Sequence, residues 1–298
     1  MKKKTSLYVK FLIVGLLSLA SCASGCKTVN VNVSNMWAEK PLPREAFAQI
    51  KHSVLLEGCG NDPKTGERKC QKANMRYVSS GSFVFHSEVS DNVSYVMTAG
   101  HSCENKIPPV QIIEGIIIKN KGSTFKVVDL EGQHYNAEVV MTNKRFDLCL
   151  LKVSDVYKRL TTLKLADKEP ERGEMVTNLA APHGLFWPGS VLIFKGYFSG
   201  YHTLGYSVYT LPTKPGSSGS AIINKDHKIV GLIFAGYPAI ENVGLSSPLV
   251  AIRVFLKKSI ALAEMNLWEK SNKPASGSQI DEKWMIRMKH SLDKMFGK

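Results

Sequence analysis

Residues 215–220 read Pro215-Gly216-Ser217-Ser218-Gly219-Ser220, and a strand-like run, Ala221-Ile222-Ile223, follows them. Gly216 and Gly219 lack the Cβ atoms that would block a sharp, closely packed turn. A turn of this kind presents one hydroxyl. The amides of Gly216 and Ser218 can converge on a developing oxyanion while Ser218 supplies the attacking oxygen. A Gly/Ser-rich segment alone is more often a plain turn, so its meaning depends on the rest of the chain.

Two upstream segments supply what such a serine needs. In Tyr95-Val96-Met97-Thr98-Ala99-Gly100-His101-Ser102-Cys103 an apolar run ends in small residues and a histidine follows directly. In Arg145-Phe146-Asp147-Leu148-Cys149-Leu150-Leu151-Lys152-Val153 an aspartate stands at the mouth of an apolar run. A serine hydroxyl is a poor nucleophile near neutral pH. It needs a base, here His101, and the base needs a carboxylate, here Asp147, to fix its tautomer and stabilise its cation. The chain order His, Asp, Ser is one of the known orders of that constellation. Taken singly, His101 could close a strand, Asp147 could cap a turn and Ser218 could sit in a hairpin. Three matched contexts in the right order favour the joint reading.

The chain has 298 residues, 44% of them hydrophobic, enough for one large domain with a substantial core. Short strand-like runs recur at Val54–Leu56, Ser82–Phe85, Val110–Ile118, Phe125–Val128, Ala137–Met141, Met175–Thr177, Ser190–Ile193 and Tyr206–Leu211. Gly, Asn, Asp and Pro turns separate them. This pattern predicts an all-β sandwich or barrels rather than a βαβ sheet. Helical periodicity is clear only near the C-terminus.

These segments together resemble the trypsin-like serine proteases of the chymotrypsin fold, most closely the bacterial Deg/Htr-type branch. Ser80-Gly81-Ser82-Phe83-Val84-Phe85 is similar to that family's second strand, Thr98-Ala99-Gly100-His101 to its histidine motif, and Phe146–Val153 to its aspartate motif. Leu165-Ala166-Asp167 and Ala181-Pro182-His183-Gly184-Leu185 resemble its linker and its Pro-x-Gly loop. Gly216–Ser220 resembles its nucleophile loop, and Ile229–Gly236 the strand that walls its primary specificity pocket. The resemblance runs from about residue 48 to about residue 258, with no PDZ-like domain expected after it. Two departures flank the serine: Lys214 stands where the Deg branch commonly has asparagine, and Ser220 where the family usually has a second glycine.

The resemblance implies two six-stranded antiparallel barrels with the site in the cleft between them, a catalytic triad of His101, Asp147 and Ser218, and an oxyanion hole from Gly216 and Ser218. The position that is acidic in lysine- and arginine-directed members is Pro212 here, and the wall histidine of glutamate-directed members falls near Ile233. Thr213, Ile233, Phe234 and Ala235 are expected to form a small apolar pocket, for cleavage after small or medium apolar residues. The expected activity is that of a serine endopeptidase. The alternative is a catalytically inactive peptide-binding protein of the same fold. An esterase would use the same groups. No cofactor or metal is expected.

The N-terminus reads as a targeting segment. Met1–Thr5 is basic, Leu7–Leu19 is mostly apolar, and Leu19-Ala20-Ser21-Cys22 is similar to a bacterial lipobox. Residues 1–22 are read as a lipoprotein signal peptide with Cys22 as the lipidated residue. Residues 23–45 are read as a polar tether, 46–262 as the protease domain and 263–298 as a linker and amphipathic helix. By resemblance to Gram-negative lipoproteins, Ala23 in place of an aspartate after the cysteine implies the periplasmic face of the outer membrane.

Export permits disulfides. Cys59 and Cys70 flank a turn-rich insertion and would staple it, while Cys149, in an apolar run, is expected to be a free core thiol. Family members often have a disulfide beside the histidine; for Cys103 the matching partner position is Ser79. A zinc site is disfavoured because no Cys-x-x-Cys or His-x-x-x-His spacing is present.

The formal net charge is +14. The basic residues are scattered along the sequence and no run interleaves them with aromatics, so a surface near anionic lipid is favoured over nucleic acid. The expected partners are a polypeptide substrate and, through the N-terminal lipid, a membrane. At the C-terminus Ser247-Pro248 predicts the start of a helix to about Lys270. A second helix after Ser278 carries Ile280, Trp284, Met288, Leu292 and Met295 on one face, for packing on the body, a membrane or a partner.

Overall fold

The structure, a computed structural model, describes residues 41–62, 64–105, 107–271 and 282–296. The signal segment with Cys22, and the tether up to residue 40, lie outside the described residues.

Seven strands build the first barrel: β1 (Phe47–Asn61), β2 (Arg68–His86), β3 (Ser94–Ala99), β4 (Val110–Ile113), β5 (Ile116–Val128), β6 (His134–Asn143) and β7 (Leu148–Val153). They follow the order β1-β2-β3-β7-β6-β5-β4, and β1 also pairs with β5. That pairing closes a ring of six and leaves β4 appended to β5. The second barrel closes in the order β10-β13-β12-β11-β8-β9. Its strands are β8 (Met175–Ala180), β9 (Leu192–Tyr201), β10 (Ser207–Tyr209), β11 (Ala221–Ile223), β12 (Ile229–Gly236) and β13 (Gly244–Ser247). All strand pairings are antiparallel. The fold is therefore the two-barrel, chymotrypsin-like one.

Val110–Ile118 is not one strand. Glu114 and Gly115 both have positive φ (50° and 81°) and form a two-residue reversal between β4 and β5. Two successive left-handed residues match the twist of a tight hairpin. Periodicity alone cannot register a turn inside an unbroken isoleucine-rich run.

The runs Tyr95–Ala99 and Leu148–Val153 are apolar but for Thr98 and Lys152 because β3 and β7 are covered on both faces over most of their length. Val96, Cys149, Leu151 and Val153 belong to the core of the first barrel, with Ile50, Phe83 and Val127. Tyr95, Met97, Leu148 and Leu150 turn the other way, into a core continuous with the second barrel.

The helix α1 (Leu249–Ser271) lies against strands of both barrels. It runs unbroken through position 262 and buries Ala263 and Glu264. Glu264 accepts hydrogen bonds from Tyr95 Oη (2.6 Å) and the Glu88 amide (2.8 Å). The Ser247 hydroxyl does not cap this helix; it donates to the Phe146 carbonyl. The helix α2 (Glu282–Phe296) packs one face on the body, burying Met288 and Leu292 in the main core.

Two disulfides are present among the described residues. Cys59–Cys70 staples the β1–β2 hairpin, as the sequence suggested. Cys149 is not a free thiol: it pairs with Cys103. Burial of Cys149 on β7 misled the sequence reading, because the segment after His101 folds back onto that strand.

Candidate active site

The strands β3 and β7 are neighbours, with Ala99 opposite Leu148. The chain just beyond β3 and the chain just before β7 therefore meet at one end of the barrel. His101 sits in a 3-10 turn over Gly100–Ser102, and Asp147 takes a positive φ of 51° in the turn before β7. The His101 Nδ1–Asp147 Oδ2 distance is 2.6 Å, and Asp147 Oδ1 accepts the His101 amide, also at 2.6 Å. Both carboxylate oxygens are thus held by the same residue. An Nδ1–H donating to Asp147 leaves Nε2 as the nitrogen that can take a proton. Gly100 makes this approach possible, since a Cβ there would stand 2.8 Å from Asp147 Oδ1. The Cys103–Cys149 disulfide joins the residues two positions beyond the histidine and the aspartate, and so ties the two segments together.

Ser218 belongs to the second barrel, on the loop before β11. Inter-barrel hydrogen bonds lock that loop to the first barrel. Ser80 donates its amide to Ser218 O (2.9 Å) and its hydroxyl to Gly216 O (2.8 Å), and the same hydroxyl accepts the Ala181 amide (3.0 Å). Gly219 packs so tightly that a Cβ would lie 2.2 Å from both Ser80 O and Thr98 Oγ1. Gly216 has φ +96°, and a Cβ there would lie 2.6 Å from Ala181 O. Among the described residues, no protein acceptor is recorded for the amides of Gly216 and Ser218. Two unpaired donors two residues apart, beside a half-buried hydroxyl, are the elements of an anion-binding cradle.

The two departures around this loop have local explanations. Ser220 is buried and its hydroxyl accepts Asn178 Nδ2 at 2.8 Å. Lys214 is exposed, its ammonium lies 3.3 Å from Glu241 Oε1, and both residues line a cavity beside Ser218.

Ser218 stands between two cavities. One, of about 410 Å³, is lined by Thr213, Ile233 and Ala235 together with Gly236, Tyr237 and Glu241. Two of its lining side chains pack closely on Gly244, where a Cβ would lie 2.9 Å from both Ile233 Cδ1 and Thr213 Cγ2. Phe234, expected in this pocket, does not line it. Its ring packs edge-on against Tyr206 at 5.0 Å, as strand alternation turns it away from Ile233 and Ala235.

The second cavity, of about 240 Å³, lies on the other side of Ser218 and is lined by His101, Ser102, Glu104, His52, Tyr77 and Val78 among others. The His52 ring stacks on Phe125 at 4.2 Å, and burial holds its pKa below the usual histidine range. Sequence reading missed Ser80, His52, Tyr77 and Asn178. Only the pairing of Ser80-Gly81-Ser82 with its motif hinted at Ser80, and nothing local marked the others.

The profile of the trypsin-like peptidase domain matches residues 79–232, a span that includes His101, Asp147 and Ser218. The chain belongs to the trypsin-like peptidase family. No curated protein matches it. Among solved structures, a serine endoprotease from Yersinia pestis is similar, with 17% identity and a TM-score of 0.49. The similarity covers 70% of this chain and 62% of that one, so the chain spans less than two thirds of that protein.

Proposed function

We propose that this peptidase-family protein is a serine endopeptidase acting on exported or cell-envelope polypeptides. The observation that carries the reading is the position of Ser218, between two cavities, beside two unpaired amides and in the same cleft as an Asp147-bonded His101. Ser218 Oγ attacks the peptide carbonyl carbon and His101 Nε2 takes its proton. The amides of Gly216 and Ser218 hold the tetrahedral oxyanion. As the intermediate collapses, His101 gives the proton to the departing amine. Water, activated by the same histidine, then releases the acyl group and regenerates Ser218. Ser218→Ala should abolish labelling by a fluorophosphonate probe and lower peptide turnover by roughly 10³-fold or more; labelling that survives the substitution moves the nucleophile elsewhere.

Cleavage should follow small or medium apolar residues, since Thr213, Ile233 and Ala235 all line the larger cavity. A panel of fluorogenic peptides measures this, and a preference for Arg, Lys or Glu would overturn it. Within the family, the motif at Phe146–Val153 supports kinship with the Deg/Htr-type branch. The basic, apolar, then Leu-Ala-Ser-Cys sequence at 1–22 supports lipidation at Cys22, a tether over 23–45 and residence at the periplasmic face of the outer membrane.

One observation favours the alternative of an inactive peptide-binding protein. Among the described residues no hydrogen bond joins Ser218 Oγ to His101 Nε2. Hydrogen bonds of this kind are often long before substrate arrives. Labelling of the unsubstituted protein separates the two readings.

A further inference from the structure

The strand β2 has nineteen residues, but β3 pairs only with its C-terminal part, from Gly81 to His86. From Arg68 to Val78 every residue is exposed, and β1 is the single strand neighbour, from Asn61–Arg68 through Lys51–Val78. Among the described residues no other backbone hydrogen bond reaches this stretch. An edge strand turns alternate amides and carbonyls outward and is open to pairing with another chain. This edge starts in the cleft. Tyr77 and Val78 line the same cavity as His101 and Ser218, and Ser80 bonds Ser218 directly. The Cys59–Cys70 disulfide holds the far end of the hairpin. The stretch precedes Ser79, where the match to the peptidase family begins.

Its charge has one sign. Arg68, Lys72 and Arg76 share a face by strand alternation, and the register adds Lys51 of β1 and Lys119 and Lys126 of β5 to that face. The acid among them, Glu57, is paired with Lys121 at 3.0 Å. The opposite face of β2 exposes Met75 and Tyr77. Lysine and arginine on an edge also repel a second copy of the same strand. An acidic strand would instead be attracted, with apolar side chains available to Met75 and Tyr77 on the other face.

We infer that the edge Arg68–Val78 takes the part of the polypeptide substrate that follows the scissile bond, as an added strand, and selects acidic side chains at alternate positions. The inference rests on the endopeptidase reading for what lies in the cleft. Continuity with the cavity beside Ser218 and the unbalanced basic face decide the occupant.

The experiment uses quenched fluorogenic peptides with one common sequence before the scissile bond. One peptide ends two residues after that bond. The others continue for about eight residues, alternating Val with Glu or Val with Lys, a length matched to the exposed strand. The Glu peptide should show a kcat/KM about tenfold above the Lys peptide, an advantage that shrinks with added salt. Proline at alternate extension positions should remove the gain by deleting strand N–H donors. In the triple variant R68E/K72E/R76E the preference should reverse, with the short peptide and fluorophosphonate labelling unaffected. Equal cleavage of the Glu and Lys peptides, or a preference unchanged in the triple variant, overturns the inference while leaving the endopeptidase reading intact.

Binding is read separately by fluorescence anisotropy of the labelled Glu peptide on Ser218→Ala protein. Tight binding there, lost with R68E/K72E/R76E, together with failure of the probe to label the unsubstituted protein, keeps the docking edge and sinks the endopeptidase. Phosphatidylglycerol vesicles complete the set. Vesicle binding lost in the triple variant, with no discrimination between peptides, assigns the face to lipid and overturns the inference.

Discussion

Ser220 occupies a buried site where its hydroxyl meets the Asn178 amide, and Asn178 also donates to Ala221 O at 2.9 Å. A glycine at this position would remove one hydrogen bond and add backbone freedom. Ser220→Gly should therefore lower stability by about 1–2 kcal/mol, read as a reduced urea midpoint, and leave probe labelling in place. Loss of labelling would mean that the hydroxyl shapes the oxyanion cradle itself. Lys214 is a different case. Its exposed pair with Glu241 contributes little to stability, as surface pairs do. The sequence names both residues, but the direction of a side chain depends on neighbours that are remote in the chain.

At the scale of elements, Glu264 is the point where α1 grips the first barrel. Burial raises its carboxyl pKa above the usual range, although its hydrogen bonds to Tyr95 and the 88–89 backbone pull the other way. The raised value fixes the sign of the pH dependence. The contribution of this group to stability is complete below the unfolded carboxylate pKa and is lost as pH rises through the folded one, because the ionised form is disfavoured inside. Glu264→Gln should flatten that part of the pH–stability profile. It should also cost about 1–3 kcal/mol, since Tyr95 and the Glu88 amide donate to different carboxyl oxygens and glutamine replaces one of these with a donor. Denaturant midpoints measured across the acidic-to-neutral range check both effects, and an unchanged slope would place the titration elsewhere. The elements themselves were legible where periodicity or composition was strong. The β3 and β7 runs and the long C-terminal helix are plain in the sequence. The β4–β5 reversal and the exposed half of β2 were not, because isoleucine continues through the first and the polar second carries no alternation.

For the whole molecule, the Cys103–Cys149 disulfide closes a segment with a sequence separation of 46 and links the turns of His101 and Asp147. Loop-closure entropy gives it about 4 kcal/mol. The double variant C103S/C149S should lose stability of that order and, because Ser80 still locks the Ser218 loop, should be impaired more in turnover than in peptide binding. Equal losses in both would show that the disulfide serves stability alone. The sequence by itself determined the all-β class and the residues of the candidate triad. Both depend on local patterns: strand runs cut by turns, and three short motifs in order. It also determined the Cys59–Cys70 staple, whose cysteines flank one hairpin. Only the tertiary structure decided that Cys103 meets Cys149, that Phe234 faces away from the pocket, and that Ser80 holds the Ser218 loop. It also gathered lysines and arginines scattered over some seventy-five residues onto one face of three strands. Each of these follows from which strand pairs with which and in what register, and one step of register exchanges every side chain between the two faces of a sheet.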